Sequence, residues 1–162
     1  MKRIQVNTFH PPVKSPIVTS PYGWRKLNGK PQFHDGVDYV SPESNEVFAL
    51  WDGVIAHDMD YYEASKRWTD GRHSLGNFVI VKHVIDGKLY FVRYCHLSRN
   101  YVNAGQEVKR GQVLGRYADV GFSYGAHLHL DGYDYKWHKT WGPFGGGNFS
   151  KVLKEYGVKT ER

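Results

Sequence analysis

The run Phe78-Val79-Ile80-Val81-Lys82-His83-Val84, the reversal Asp86-Gly87 and the run Lys88-Leu89-Tyr90-Phe91-Val92-Arg93-Tyr94-Cys95-His96 constrain this chain most. Both runs are rich in β-branched and aromatic residues, and Asp-Gly supplies the positive φ that a tight reversal demands. They predict an antiparallel hairpin. A lone hairpin is marginal in water, so further strands must cover its apolar face. Val47-Phe48-Ala49-Leu50-Trp51 and Val54-Ile55-Ala56, on either side of Asp52-Gly53, read as two short strands around a turn. Gly105-Gln106-Glu107-Val108 and Gly111-Gln112-Val113-Leu114 repeat a Gly-Gln pattern and imply short strands joined at sharp glycine corners. With 18 glycines, 12 tyrosines and few long periodic apolar stretches, strands and turns are favoured over helices.

The expected fold is therefore mostly β: a small antiparallel sheet or sandwich. One short C-terminal helix is expected, capped by Asn148, with Phe149, Val152, Leu153 and Tyr156 on one face and Gly157 ending it. That helix should pack on the sheet and carry no chemistry. His10 to Pro21 holds four prolines and reads as an extended arm. Asp58 to Gly76 is charged, aromatic and aperiodic, and reads as a long loop. A chain of 162 residues suits one domain. It divides into an arm at 1–17, a core at 18–131 and an extension at 132–162.

A formal net charge of +6 points to an anionic partner: nucleic acid, an acidic membrane surface or a wall polymer. The basic residues are scattered, with Lys-Arg pairs at Lys2-Arg3, Lys66-Arg67 and Lys109-Arg110 and no basic helix, which argues against nucleic acid. Cys95 is the one cysteine, so no internal disulfide forms. No apolar run is long enough to span a membrane, and Met1 to Asn7 lacks the apolar centre of a signal peptide. A protein made in the cytoplasm and acting outside would then leave by lysis, through another protein's pore or on a particle.

The chemistry concentrates in two short segments. In His127-Leu128-His129-Leu130-Asp131, strand alternation puts both imidazoles on one face and both leucines on the other, toward a core. Two imidazoles on one face make half of a metal site. His34-Asp35-Gly36-Val37-Asp38 offers a histidine and a carboxylate four residues apart around a glycine. Together they form the nitrogen- and oxygen-rich set that zinc uses in hydrolases. Other histidines have a plainer reading: His10, His57, His73, His83 and His138 are packed or solvated side chains, although His83 ends a strand near the site. Cys95 should face away from His96 by alternation, as a buried structural thiol. Tyr61, Tyr62, Trp68 and Tyr124 either line a substrate groove or pack under the long loop.

Taken in order, these residues resemble the lysostaphin-type, LytM-like zinc endopeptidases that cut peptidoglycan peptides. The resemblance runs from about Val18 to Asp131. It is carried by Thr19-Ser20-Pro21-Tyr22-Gly23-Trp24-Arg25, His34-Asp35-Gly36-Val37-Asp38, Gly76-Asn77-Phe78-Val79-Ile80-Val81-Lys82-His83, Tyr94-Cys95-His96-Leu97-Ser98, the Gly-Gln tandem and His127-Leu128-His129. It implies a mostly antiparallel sheet with a groove floored by Zn²⁺. His34, Asp38 and His129 match the family's zinc ligands, and His96 and His127 match two histidines that assist catalysis. The implied activity is hydrolysis of peptidoglycan cross-bridges or stem-peptide cross-links. Apart from the resemblance, the missing signal peptide, missing wall-binding repeat and compact length are expected of a bacteriophage product, either a lysin or a particle-associated enzyme, more than of a secreted bacterial enzyme. Leu130-Asp131 stands where the family usually has Phe-Glu. Two alternatives remain at this stage. One is a wall-binding module of the same fold without catalysis. The other is a biotinyl- or lipoyl-type carrier, whose modified lysine would be Lys109.

Overall fold

The computed structural model describes residues 8–59, 75–120, 125–134 and 149–162. Within them lie eleven strands and one helix. The strands are β1 (Ile17–Ser20), β2 (Gly23–Leu27), β3 (Lys30–His34), β4 (Val37–Val40), β5 (Glu46–Phe48), β6 (Gly53–Met59), β7 (Asn77–Ile85), β8 (Lys88–Asn100), β9 (Glu107–Val108), β10 (Val113–Tyr117) and β11 (Leu128–Asp134). The helix α1 spans Phe149–Glu155. The fold is mostly β and antiparallel, with one short C-terminal helix, as the sequence predicts.

One large sheet runs in the order β1-β4-β11-β8-β7-β6-β9, with β10 joining β8 to β5; β2 and β3 form a separate ribbon. The predicted hairpin is its centre: β7 and β8 pair from Ile85↔Lys88 to Asn77↔Leu97, with Asp86 and Gly87 both at positive φ in the turn. The segment from Glu46 to Ala56 yields two strands as expected, but they do not pair with each other. β5 pairs β10, and β6 lies between β7 and β9. The two Gly-Gln corners are built alike: the Gln106 side-chain oxygen accepts from the Asn103 amide, and that of Gln112 accepts from the Lys109 amide.

Alternation sorts the central strands. Val37 and Tyr39, Val92 and Tyr94, and Leu128 and Leu130 are all fully buried in the main core. The residues between them, Asp38, Arg93 and His129, belong to the opposite face of the same strands. Residues 8–16, ahead of β1, do not form a free arm. Phe9 and Val13 lie in the core, the Phe9 amide donates to the Tyr156 carbonyl at 2.9 Å, and the Phe48 amide donates to the Pro12 carbonyl at 2.9 Å. Proline fixes φ without requiring an exposed course, and here Val13 and Val18, between the prolines, are buried, while Ile17 stays exposed. The described parts of the extension after Asp131 also join the core. β11 continues to Asp134, and Phe149, Leu153 and Val158 are buried with Phe9. Val152 and Tyr156 complete the apolar helix face. Asn148, Gly145 to Gly147 and most of the Asp58–Gly76 loop lie outside the described residues.

His83 is a core residue, not a neighbour of the site. Its Nδ1 donates to the Asp52 carbonyl at 2.9 Å, and its Nε2 accepts from the Tyr94 hydroxyl at 2.9 Å. Tyr94 in turn accepts from the Leu50 amide at 3.1 Å. Burial presses the His83 pKa down from 6.5 to about 4, so the ring is held neutral. A depressed folded pKa stabilises the fold fully above 6.5, and that contribution is lost as pH falls toward 4. Denaturant unfolding should therefore show stability dropping over this window, and His83→Gln should flatten the drop. Phe9 stacks on Tyr156 at 4.7 Å between ring centroids and meets Trp51 edge-on at 5.9 Å. Phe9→Ala should cost about 3–5 kcal/mol in the same unfolding measurement; a cost below ~1 kcal/mol would show that this segment is dispensable.

Candidate metal centre

The centre is assembled from strand ends and one cross-strand row. β4 and β11 pair with His129 opposite Asp38, and β11 and β8 pair with His129 opposite Cys95. Paired residues project on the same side of a sheet, so Asp38 and His129 are neighbours by register. His34, the last residue of β3, comes back over this row through the turn Asp35-Gly36. Only glycine fits at position 36: a Cβ there would lie 2.6 Å from the Leu130 carbonyl oxygen and 2.7 Å from Cε1 of His129.

Three donor atoms converge. His34 Nε2 is 3.1 Å from His129 Nδ1 and 3.2 Å from Asp38 Oδ1, and His129 Nδ1 is 3.0 Å from Asp38 Oδ1. All three residues are at least 90% buried. Ligand atoms ~2.0–2.1 Å from a tetrahedral ion lie roughly 3.3–3.4 Å from one another, so the triangle is nearly the face such an ion requires. Two imidazoles and one carboxylate are also the donor chemistry of an ion that keeps a position for water. The set fits a metal. His34 is already set for it: Nδ1 lies 2.9 Å from the Pro21 carbonyl, which can only accept, so Nδ1 carries a proton and Nε2, the nitrogen facing the triangle, is the one a metal would take. Burial alone would raise the Asp38 carboxyl, but hydrogen bonds from His129 and His34 outweigh it and hold the group well below the usual carboxylate range. Burial opposes charge on His129, yet Asp131 and Asp38 raise its pKa to about 10. An entering metal must therefore displace a proton from this ring.

His96 and His127 stand beside the triangle. Their rings are 4.6 Å apart, and His96 is 6.1 Å from His129. His127 precedes β11 and keeps its alternation, with Nε2 3.6 Å from Asp38 Oδ2. Its Nδ1 is 2.9 Å from the Gly125 carbonyl. His96 Nδ1 is 2.6 Å from the Val120 carbonyl. In both rings the proton on Nδ1 is committed to a carbonyl, so Nε2 is the basic nitrogen. Burial, then the neighbouring His127 and His129, lower the His96 pKa from 6.5 to about 3.

His96 reaches this face by a route that alternation does not give. Phe78 pairs with Cys95 and Asn77 with Leu97, so His96 is the extra residue of a β-bulge, with φ at 66° in the left-handed region. Tyr94, which strict alternation would put on the same face as His96, instead points into the core. The orientation predicted for Cys95 is corrected as well. Its register partner is His129, which puts it on the site's side of the sheet, not away from His96. It is nevertheless fully buried, and burial pushes its thiol well above the ordinary value, so it remains an unreactive structural cysteine.

All five residues singled out in the sequence thus lie in one cluster. Three more reach it. Arg25 Nη1 lies 3.5 Å from Asp38 Oδ2 and donates to Ser20 Oγ at 2.7 Å. Asp35 and Asp131 lie near His129 Nε2, at 3.6 Å and 2.9 Å. The alternation that pairs His127 with His129 extends to Asp131, and that signal was legible. Arg25 approaches through the ribbon turn and left no such trace. His10 and His57 lie outside the cluster. His73, His138, Tyr61, Tyr62, Trp68 and Tyr124 fall outside the described residues.

The profile of peptidase family M23 matches residues 32–139, two-thirds of the chain, and the chain belongs to that family. It is 31% identical over 126 residues to the peptidoglycan DD-endopeptidase ShyC of Vibrio cholerae, an alignment covering 74% of this chain and 26% of ShyC. The chain thus spans about a quarter of the length of that relative. Among solved structures, the lysostaphin catalytic domain of Staphylococcus simulans superposes with a TM-score of 0.61 at 26% identity, covering 86% of this chain and 92% of that one. A zinc-containing peptidase from Vibrio cholerae superposes with a TM-score of 0.59 at 27% identity, over 79% of this chain and 36% of that one. Membership of a peptidase family removes the carrier-domain reading of Lys109.

Gly36→Ala should drive the His129 ring out of the triangle. The expected result is loss of metal affinity by at least tenfold in equilibrium dialysis, with the far-ultraviolet circular dichroism of a folded β-protein retained. Unchanged affinity would show that the close approach is not required.

Proposed function

We propose that this chain is a zinc-dependent endopeptidase that hydrolyses peptide bonds of bacterial peptidoglycan, in cross-bridges or stem-peptide cross-links. One observation carries the reading: two histidine nitrogens and one carboxylate oxygen converge within 3.0–3.2 Å, with two further histidines beside them. A structural zinc site is closed by four protein ligands, whereas a catalytic one has three and keeps a place for water. The family match, ShyC and the zinc-containing Vibrio peptidase support the substrate class and the metal. The net charge of +6 suits an anionic wall.

His34, Asp38 and His129 would hold the ion. When bound, zinc lowers the pKa of a coordinated water to about 7 and polarises the scissile carbonyl. The chain's own residues manage the protons. His96 is buried and held neutral, so its Nε2 offers a lone pair that can accept a hydrogen bond from the attacking water and orient it. His127 is more exposed and presents its Nε2 beside Asp38, where it can hold a proton for the leaving amine. A positioned histidine contributes ~10²–10⁴-fold. Neither ring needs to reorient, because each Nδ1 is anchored to a carbonyl.

Purified sacculi test the proposal. The expected result is release of free amines without new reducing sugar ends, abolished by a chelator and restored by zinc. His34→Ala, Asp38→Ala or His129→Ala should abolish zinc retention. His96→Ala or His127→Ala should keep zinc and lower turnover ~10²–10⁴-fold. Zinc loss from the latter two would contradict the assigned roles. Binding to sacculi without amine release would identify a binding module instead.

A further inference from the structure

Behind the metal triangle lies a layer of polar side chains that the proposed catalysis does not use. Asp131 is 1% exposed, and its Oδ2 is 2.9 Å from Nε2 of His129, the ring nitrogen turned away from His34 and Asp38. Arg93 sits opposite Asp131 in the β8–β11 register and grips it with two hydrogen bonds: Nε to Oδ1 at 2.7 Å and Nη2 to Oδ2 at 2.6 Å. Nη2 also donates to the Tyr133 hydroxyl at 2.7 Å, and that hydroxyl donates to Asp35 Oδ2 at 3.3 Å. The layer is continuous from the edge of the site to the buried guanidinium.

Asp35, His129 and Asp131 bring donor atoms close enough to suggest a second cation site. The guanidinium argues against it. Both Asp131 oxygens already accept from Arg93, and a metal there would sit against a fixed positive charge. What remains for Asp131 is the hydrogen bond to the ring. A carboxylate that accepts from one imidazole nitrogen keeps the proton on it, fixes the ring's orientation and makes the other nitrogen a better donor to a metal.

We propose that Asp131 is a positioning residue for the metal: it holds the His129 proton on Nε2 and aims Nδ1 at the ion, and Arg93 fixes Asp131 in that role. The inference rests on the zinc reading above. It accounts for why a bidentate ion pair is buried directly under a ligand, where burial of charge is otherwise costly. Asp131 meets the ring while Arg93 grips it from the facing position of the β8–β11 ladder.

The test measures zinc affinity by competition with a chromogenic chelator for the full chain, for Asp131→Asn, and for the double variant Arg93→Gln/Asp131→Asn. The double variant removes both charges together, so neither is stranded. Zinc affinity should fall ~10–100-fold in both variants. An unchanged affinity in either folded variant overturns the proposal. Nitrogen NMR of the zinc-loaded parent gives a reading that no variant's folding can obscure. The expected spectrum shows His129 metal-bound at Nδ1 and protonated at Nε2; the reverse assignment overturns the proposal. If the parent retains no zinc, both the metal reading and this inference fail. Zinc bound by the parent but indifferent to Asp131 sinks this inference alone.

Discussion

The pairing of His129 with Asp38 across β4 and β11 is the constraint on which the rest of the site depends. Side chains alternate along a strand, so a slip of β11 by one residue would send His129 into the core and bring Leu128 or Leu130 opposite Asp38. The fully buried leucines on the opposite face prevent that slip. Core burial and metal geometry are therefore one constraint, set by the same register. Gly36 adds the third donor: it lets the chain from His34 pass close over the His129 ring.

The second structural decision is the bulge at His96. One edge of β8 changes partner there, from β11 before the bulge to β10 after it, while β7 pairs along the other edge as far as Leu97. The left-handed backbone of His96 is uncommon for a non-glycine residue and is held by hydrogen bonds on both sides, its amide to the Leu75 carbonyl and its carbonyl from the Ala118 amide. The result is a histidine turned onto the face that already holds His129, with Cys95 beside it on the same side.

The hairpin, the helix and the alternation of His127, Leu128, His129 and Leu130 were legible because each is a local pattern with a fixed period. Asp131 obeys the same period, so its place on the site face was readable too, although its partner Arg93 lies 38 residues away. The bulge was not legible. Nothing in Tyr94-Cys95-His96 distinguishes an alternating strand from one with an extra residue, and the orientations expected for Tyr94 and Cys95 relative to His96 failed for that reason. The inward course of Phe9 and Val13 was hidden by the prolines around them. The sequence shows that those prolines preclude helix; it does not show which surface the apolar residues between them will meet. Arg25 was invisible because its approach to Asp38 depends on how the β2–β3 ribbon folds back.

X-ray absorption at the zinc edge, on the zinc-loaded chain, tests the central claim most directly. The account predicts a four-coordinate ion with only nitrogen and oxygen neighbours, at ~2.0–2.1 Å, two of them imidazoles and one of them solvent. A sulfur neighbour at ~2.3 Å would place the metal against Cys95. That result, or a shell with four protein ligands and no solvent, would contradict a catalytic centre built on His34, Asp38 and His129.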